Sequence, residues 1–144
     1  MAELIGTELA IKPTPEGRSR QITWSEIEEA DPDVVIVACC GFDLERNAND
    51  ASSSAEHFAK LRCNSNSNSN SNINSSNLYA ANGDQYFARP SPKLLIGAFI
   101  MALCVYSNDN DETDKEEPND LVRAIRDLPF FPSEALDSFR AMKY

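Results

Sequence analysis

The run Val34-Val35-Ile36-Val37-Ala38-Cys39-Cys40 restricts the fold of this chain more than any other segment. It is continuously apolar and rich in β-branched residues, with no alternation. That pattern predicts a strand covered on both faces, as in a parallel sheet, and not a strand with one wet side. The segment before it carries a helix signal. Thr23 stands three residues ahead of Glu26, the spacing of a capping box, so a helix is predicted from Trp24 to about Ala30. Asp31-Pro32-Asp33 ends that helix, because a residue preceding proline is pushed out of the helical region.

Gly41-Phe42-Asp43 closes the strand, and Asp43-Leu44-Glu45-Arg46 puts acid in a first turn, where the helix dipole favours it. This second helix is predicted to reach about Leu61, with a break at Ser52-Ser53-Ser54. Leu78 to Ala81 reads as a second short strand, ended by the turn signal Asn82-Gly83-Asp84. Ser91-Pro92 is a cap followed by proline at the first helical position, and Lys93 to Tyr106 follows as a helix. Apolar residues surround most of its circumference, so it should be largely buried. In the tail, Leu121, Val122 and Ile125 share a face, and Ser133 is predicted to cap a helix carrying Leu136, Phe139 and Met142. Helix, strand, helix, strand, helix is the order of an α/β layered domain.

Two stretches stand outside this pattern. Residues 63–77 form a Ser/Asn low-complexity insertion, and residues 107–120 form an acidic linker with seven carboxylates and one Lys. Neither can bury enough apolar surface to offset the entropy of ordering its backbone. About 115 residues remain, enough for one core. The formal net charge is −10, and the linker carries more than half of the excess. No basic stripe remains to attract phosphates, which argues against a nucleic-acid partner. The N-terminus lacks the basic start and apolar run of a secretory signal, and Leu94–Tyr106 is shorter than the roughly 20 residues that span a membrane. A soluble protein without membrane insertion is expected. Four cysteines, two of them adjacent, do not form a disulfide framework, so a reducing compartment is expected too.

Three pieces in one order carry a family likeness. They are Ile22-Thr23-Trp24-Ser25-Glu26-Ile27 with Asp31-Pro32-Asp33-Val34-Val35-Ile36-Val37, then Cys40-Gly41-Phe42-Asp43-Leu44-Glu45-Arg46, then Asn82-Gly83-Asp84-Gln85-Tyr86-Phe87-Ala88-Arg89-Pro90-Ser91-Pro92. Over roughly residues 3–106 the chain resembles the C-terminal lobe of the substrate-binding proteins that serve cobalamin and iron-siderophore ABC transporters. The resemblance implies a single Rossmann-like lobe in residues 1–106, with a small, mostly parallel sheet flanked by helices; the amphipathic pieces of the tail are expected to form a helical tail, 121–144, docked on it. It implies a non-catalytic ligand-binding module for a corrinoid or an iron chelate. It also implies a partner lobe, because family members hold their ligand between two lobes, and the N-terminal one has no counterpart here. The alternative is a truncated or degenerate lobe that acts as an interaction module without a small ligand.

Ligands of open α/β sheets bind beyond the carboxyl ends of the strands. The loops after the two predicted strands qualify, and the resemblance implies ligand-facing roles for Gly41, Phe42, Asp43, Tyr86, Phe87 and Arg89. The aromatic rings can stack on a flat ligand, Gly41 permits close backbone approach, and Arg89 can hold a carboxylate or amide oxygen. No catalytic or metal site is expected. Cys39 and Cys40 would project to opposite faces of a strand, which prevents chelation of one ion, and read as small buried residues at a strand end. A nucleophilic cysteine needs a base, and the sole histidine, His57, falls on the following helix. The run beginning at Asp109 fails as a calcium loop, because Asp114 stands where glycine is required and Asp120 where a bidentate glutamate is expected.

Overall fold

The computed structural model describes residues 1–16, 20–61, 77–88, 90–106, 123–125, 127–129 and 132–142. The Ser/Asn insertion (apart from its last residue, Asn77), the acidic linker, Arg89, Leu121, Val122 and the diphenylalanine at 130–131 lie outside them. In chain order the elements are α1 (Trp24–Ala30), β1 (Val35–Val37), α2 (Leu44–Ser53), α3 (Ala55–Phe58), β2 (Leu78–Ala81), α4 (Gly83–Tyr86), α5 (Lys93–Tyr106) and β3 (Phe139–Ala141). Two 3-10 turns, Glu3–Ile5 and Ser133–Ser138, are also present among the described residues. This is a small α/β fold. Among the described residues β2 lies at the centre of a three-stranded sheet, parallel to β1 and antiparallel to β3.

The local signals explain the element boundaries. Both halves of the capping box form at α1: the Thr23 side chain accepts from the Glu26 backbone N–H, and Glu26 accepts from the Thr23 N–H at 2.9 Å. Asp31 ends the helix in the left-handed conformation, φ 43°. Asp43 caps α2, accepting from the Arg46 N–H at 2.9 Å, and the predicted break falls at Ser54. The Lys93 N–H at the start of α5 donates to the Ser91 hydroxyl.

The sheet divides the interior into two apolar clusters. On one face Leu78 and Ala80 meet Ala48, Ala51, Phe58, Leu61 and Met142. On the other, Tyr79 meets Tyr86, Ile100, Leu103, Cys104, Ile125 and Ala135. Every residue of β2 is therefore buried, whereas β1 is only half-buried. Its side chains do have cover on both faces, Ile36 with the preceding Val34 on one and Val35 and Val37 on the other. The remaining exposure arises because β1 is an edge strand among the described residues.

The tail departs from expectation. The predicted helix with Leu136, Phe139 and Met142 is a 3-10 turn followed by strand β3. Three-residue spacing puts side chains on one face of a helix but on opposite faces of a strand. Opposite faces are what the two clusters require: Phe139 packs beside Tyr79 and Met142 lies in the other cluster. Among the described residues, no helix is long and apolar enough to cross a membrane.

Candidate functional site

Beyond the carboxyl ends of β1 and β2 lies an open groove of about 560 Å³. The loop after β1 contributes Gly41 and Asp43, and the segment after β2 contributes Asn82, Asp84 and Gln85. Ser91 and Lys93, where α5 begins, form the third wall. Gly41 apart, these residues carry polar or charged side chains, and capping already engages three of them, Ser91 at the start of α5 together with Asp43 and Asn82. Asp43 holds the start of α2, and Asn82 holds the start of α4 by accepting from the Gln85 N–H at 3.0 Å. Asp84, Gln85 and Lys93 are exposed and present an acceptor, an amide and a cation to the groove.

The two loops are fastened to each other. The Asp84 N–H donates to the Phe42 carbonyl at 3.0 Å, and the Phe42 N–H donates to the Cys39 carbonyl at 3.2 Å, closing a tight turn in which Gly41 takes φ 78°. Beneath them Asn47 of α2 is fully buried, at 0% exposure. Its amide donates to the carbonyls of Ala81 (2.8 Å) and Phe42 (3.3 Å), and its oxygen accepts from the Cys39 N–H (3.1 Å). One side chain thus ties the ends of β1 and β2 to the helix between them. Glycine permits the approach: a Cβ on Gly83 would lie 2.1 Å from the Cys39 carbonyl oxygen, well inside van der Waals contact. Likewise a Cβ on Gly97 would lie 2.4 Å from the Tyr86 carbonyl oxygen, so α5 can pack against the end of α4 only without a side chain there.

Of the residues expected to face a ligand, Gly41 and Asp43 line the groove. Phe42 is half-buried, with the Arg46 guanidinium 3.6 Å above its ring, and Arg89 lies outside the described residues. Tyr86 is a correction. At 2% exposure it belongs to the core, and burial, with a smaller contribution from the Glu134 charge, pushes its phenol above the ordinary range. Phe87 packs against the same cluster. Because the segment after β2 turns at once into α4, the Tyr86 side chain is carried inward to the core, and exposed Asp84 and Gln85 are left at the groove.

The cysteines are a second correction. β1 ends at Val37, before either residue, and both Cys39 and Cys40 are exposed; neither is a buried strand-end residue. Among the described cysteines Cys104 is the buried one, its thiol pushed up to about 12 by desolvation. His57 stacks on Trp24 with ring centroids 4.5 Å apart. Among the described residues no three or more His, Cys, Asp or Glu side chains are grouped to hold a metal ion. Asn47 is not among the residues the sequence singles out for the site, although an asparagine one position before Ala48 and four before Ala51, on the helix's apolar side, is a signal of a buried polar anchor. Asn82 and Gln85 have the three-residue spacing of a helix cap, a second usable signal. No protein-family model, curated protein or solved structure matches the chain.

Proposed function

We propose that this chain is a non-catalytic ligand-binding module, a Rossmann-like lobe whose site is the groove beyond β1 and β2. The observation that supports this most is the position of the groove, at the carboxyl ends of a parallel strand pair, where open α/β sheets take their ligands. Its side chains fit a large ligand with a polar rim. The peripheral amides of a corrinoid, or the amide and carboxylate oxygens of an iron chelate, would meet Lys93, Gln85 and Asp84. This agrees with the likeness to cobalamin and iron-siderophore binding lobes. A second α/β lobe facing the groove is the partner that would complete burial of such a ligand.

Calorimetric titration with cyanocobalamin and a panel of ferric siderophores tests the reading. Saturable binding to one of them is expected, weakened about tenfold in Asp84→Ala or Lys93→Ala, which is a loss of roughly 1.4 kcal/mol. No saturable heat up to millimolar ligand would reject autonomous binding. One observation favours a second reading, an interaction module without a small ligand: Tyr86 is buried in the core and offers no stacking surface to a flat macrocycle, and Phe87 is partly buried against the same cluster.

A further inference from the structure

The turn that walls the groove carries two adjacent exposed thiols, Cys39 and Cys40. We propose that they form a reversible redox pair, a site of disulfide modification that resets the shape of the groove. The proposal goes beyond the binding reading and does not depend on what the groove binds.

Accessibility is the first ground. Both thiols are open to a small-molecule disulfide, whereas Cys104 is buried. The balanced step uses such a disulfide as oxidant. The Cys40 thiolate attacks one of its sulfurs and releases one thiol; the Cys39 thiolate then attacks the Cys40 sulfur and releases the second. The protein pair loses two electrons and two protons, and the small disulfide is reduced to two thiols. Because adjacent Cα atoms are only about 3.8 Å apart, below the roughly 4.4–6.8 Å of ordinary disulfides, the product is strained and readily reduced. Such bonds act as labile or regulatory disulfides more than as structural staples.

The coupling to the groove is the second ground. The small ring closed by this bond contains the peptide between Cys39 and Cys40. The carbonyl of that peptide accepts from the Phe42 N–H at 3.2 Å, and it is also the atom that leaves no room for a side chain on Gly83. Its neighbouring amide, the Cys39 N–H, is held by Asn47 at 3.1 Å. Twisting this peptide to close the ring must therefore disturb the turn through Gly41 and, through the Phe42 carbonyl, the Asp84 N–H across the groove.

The experiment incubates the protein with glutathione disulfide, alkylates remaining thiols and digests with trypsin. The peptide from Gln21 to Arg46 carries both cysteines and no other. We expect this peptide lighter by two hydrogen atoms and unalkylated, and at least tenfold faster hydrogen exchange of the Phe42 and Asp84 amides in the oxidised protein. Cys39→Ser and Cys40→Ser should each give only a mixed disulfide, without the change in exchange. A bond from either thiol to Cys63, only mixed or intermolecular disulfides in the wild type, or an oxidised peptide with unchanged amide exchange would overturn the proposal.

Discussion

Replacing Asn47 by alanine should destabilise the protein by about 3 kcal/mol. The substitution removes three hydrogen bonds, but the groups left behind differ in consequence. The Phe42 carbonyl keeps the Asp84 N–H, and the Cys39 N–H belongs to an exposed residue in a part-buried bond. The Ala81 carbonyl has no such relief, because Ala81 is completely buried at the end of the central strand. Leaving that acceptor unsatisfied costs about 1–3 kcal/mol, and each of the other two bonds adds roughly 0.5–1.5 kcal/mol of net stability. Since a domain of this size is stable by only about 5–15 kcal/mol, the loss should be plain in urea unfolding, as a lower midpoint with an unchanged slope. Hydrogen exchange should quicken most at the amides of Cys39 and Asp84. A change below about 1 kcal/mol would refute the reasoning, because it would mean that Asn47 fills space without holding the strand ends together.

Gly83→Ala should cost about 3 kcal/mol in the same urea assay, since the neighbour it meets is backbone and cannot turn aside as a side chain would; wild-type stability would exclude the close approach. Thr23→Ala should lower stability by about 1 kcal/mol by undoing the cap of α1. At the same cap the Thr23 backbone N–H, and then the Arg20 side chain, hold the Glu26 carboxyl below the ordinary carboxylate range. A folded-state pKa below the unfolded one gives stability that is present above the usual carboxylate range and is lost as pH falls through the folded value. Part of the acid destabilisation seen in thermal melts should therefore vanish in Glu26→Gln. Cys104, with its thiol pushed up to about 12, should resist alkylation at neutral pH until the protein unfolds, which mass spectrometry with and without urea would show.

The elements legible in the sequence are those specified by neighbouring residues. The capping box, the proline after Asp31 and the Ser91-Pro92 start each act within one helical turn and lie where their spacing predicts, and the acidic helix start at Asp43 is found with Asp43 as the cap one position before the first turn. β3 was not legible, because Phe139-Arg140-Ala141 has no strand pattern of its own. It becomes a strand through pairing with β2, a partner distant in sequence. The loops of the site were legible as loops, but not their side-chain directions. Whether Tyr86 faces the groove or the core depends on how early α4 begins after β2, and on Gly97 letting α5 close over it. The apolar run at 34–40 overstated its strand for a related reason: only Val35–Val37 pair with β2, and the turn through Gly41 releases Cys39 and Cys40 into solvent.

The central strand has a kinetic consequence. β2 borrows both of its neighbours from far along the chain, Val35 opposite Leu78 on one side and Ala141 opposite Tyr79 on the other. Neither pairing can form by a local hairpin, so loop closure must be met twice before the sheet yields its stabilisation, and folding should be slow for a chain of this length. It also makes the last dozen described residues a late but necessary arrival. Until Phe139 and Met142 reach the sheet, one edge of β2 is bare and both apolar clusters stand open. A ribosome-bound chain that still lacks them would be the form most exposed to aggregation and to chaperones.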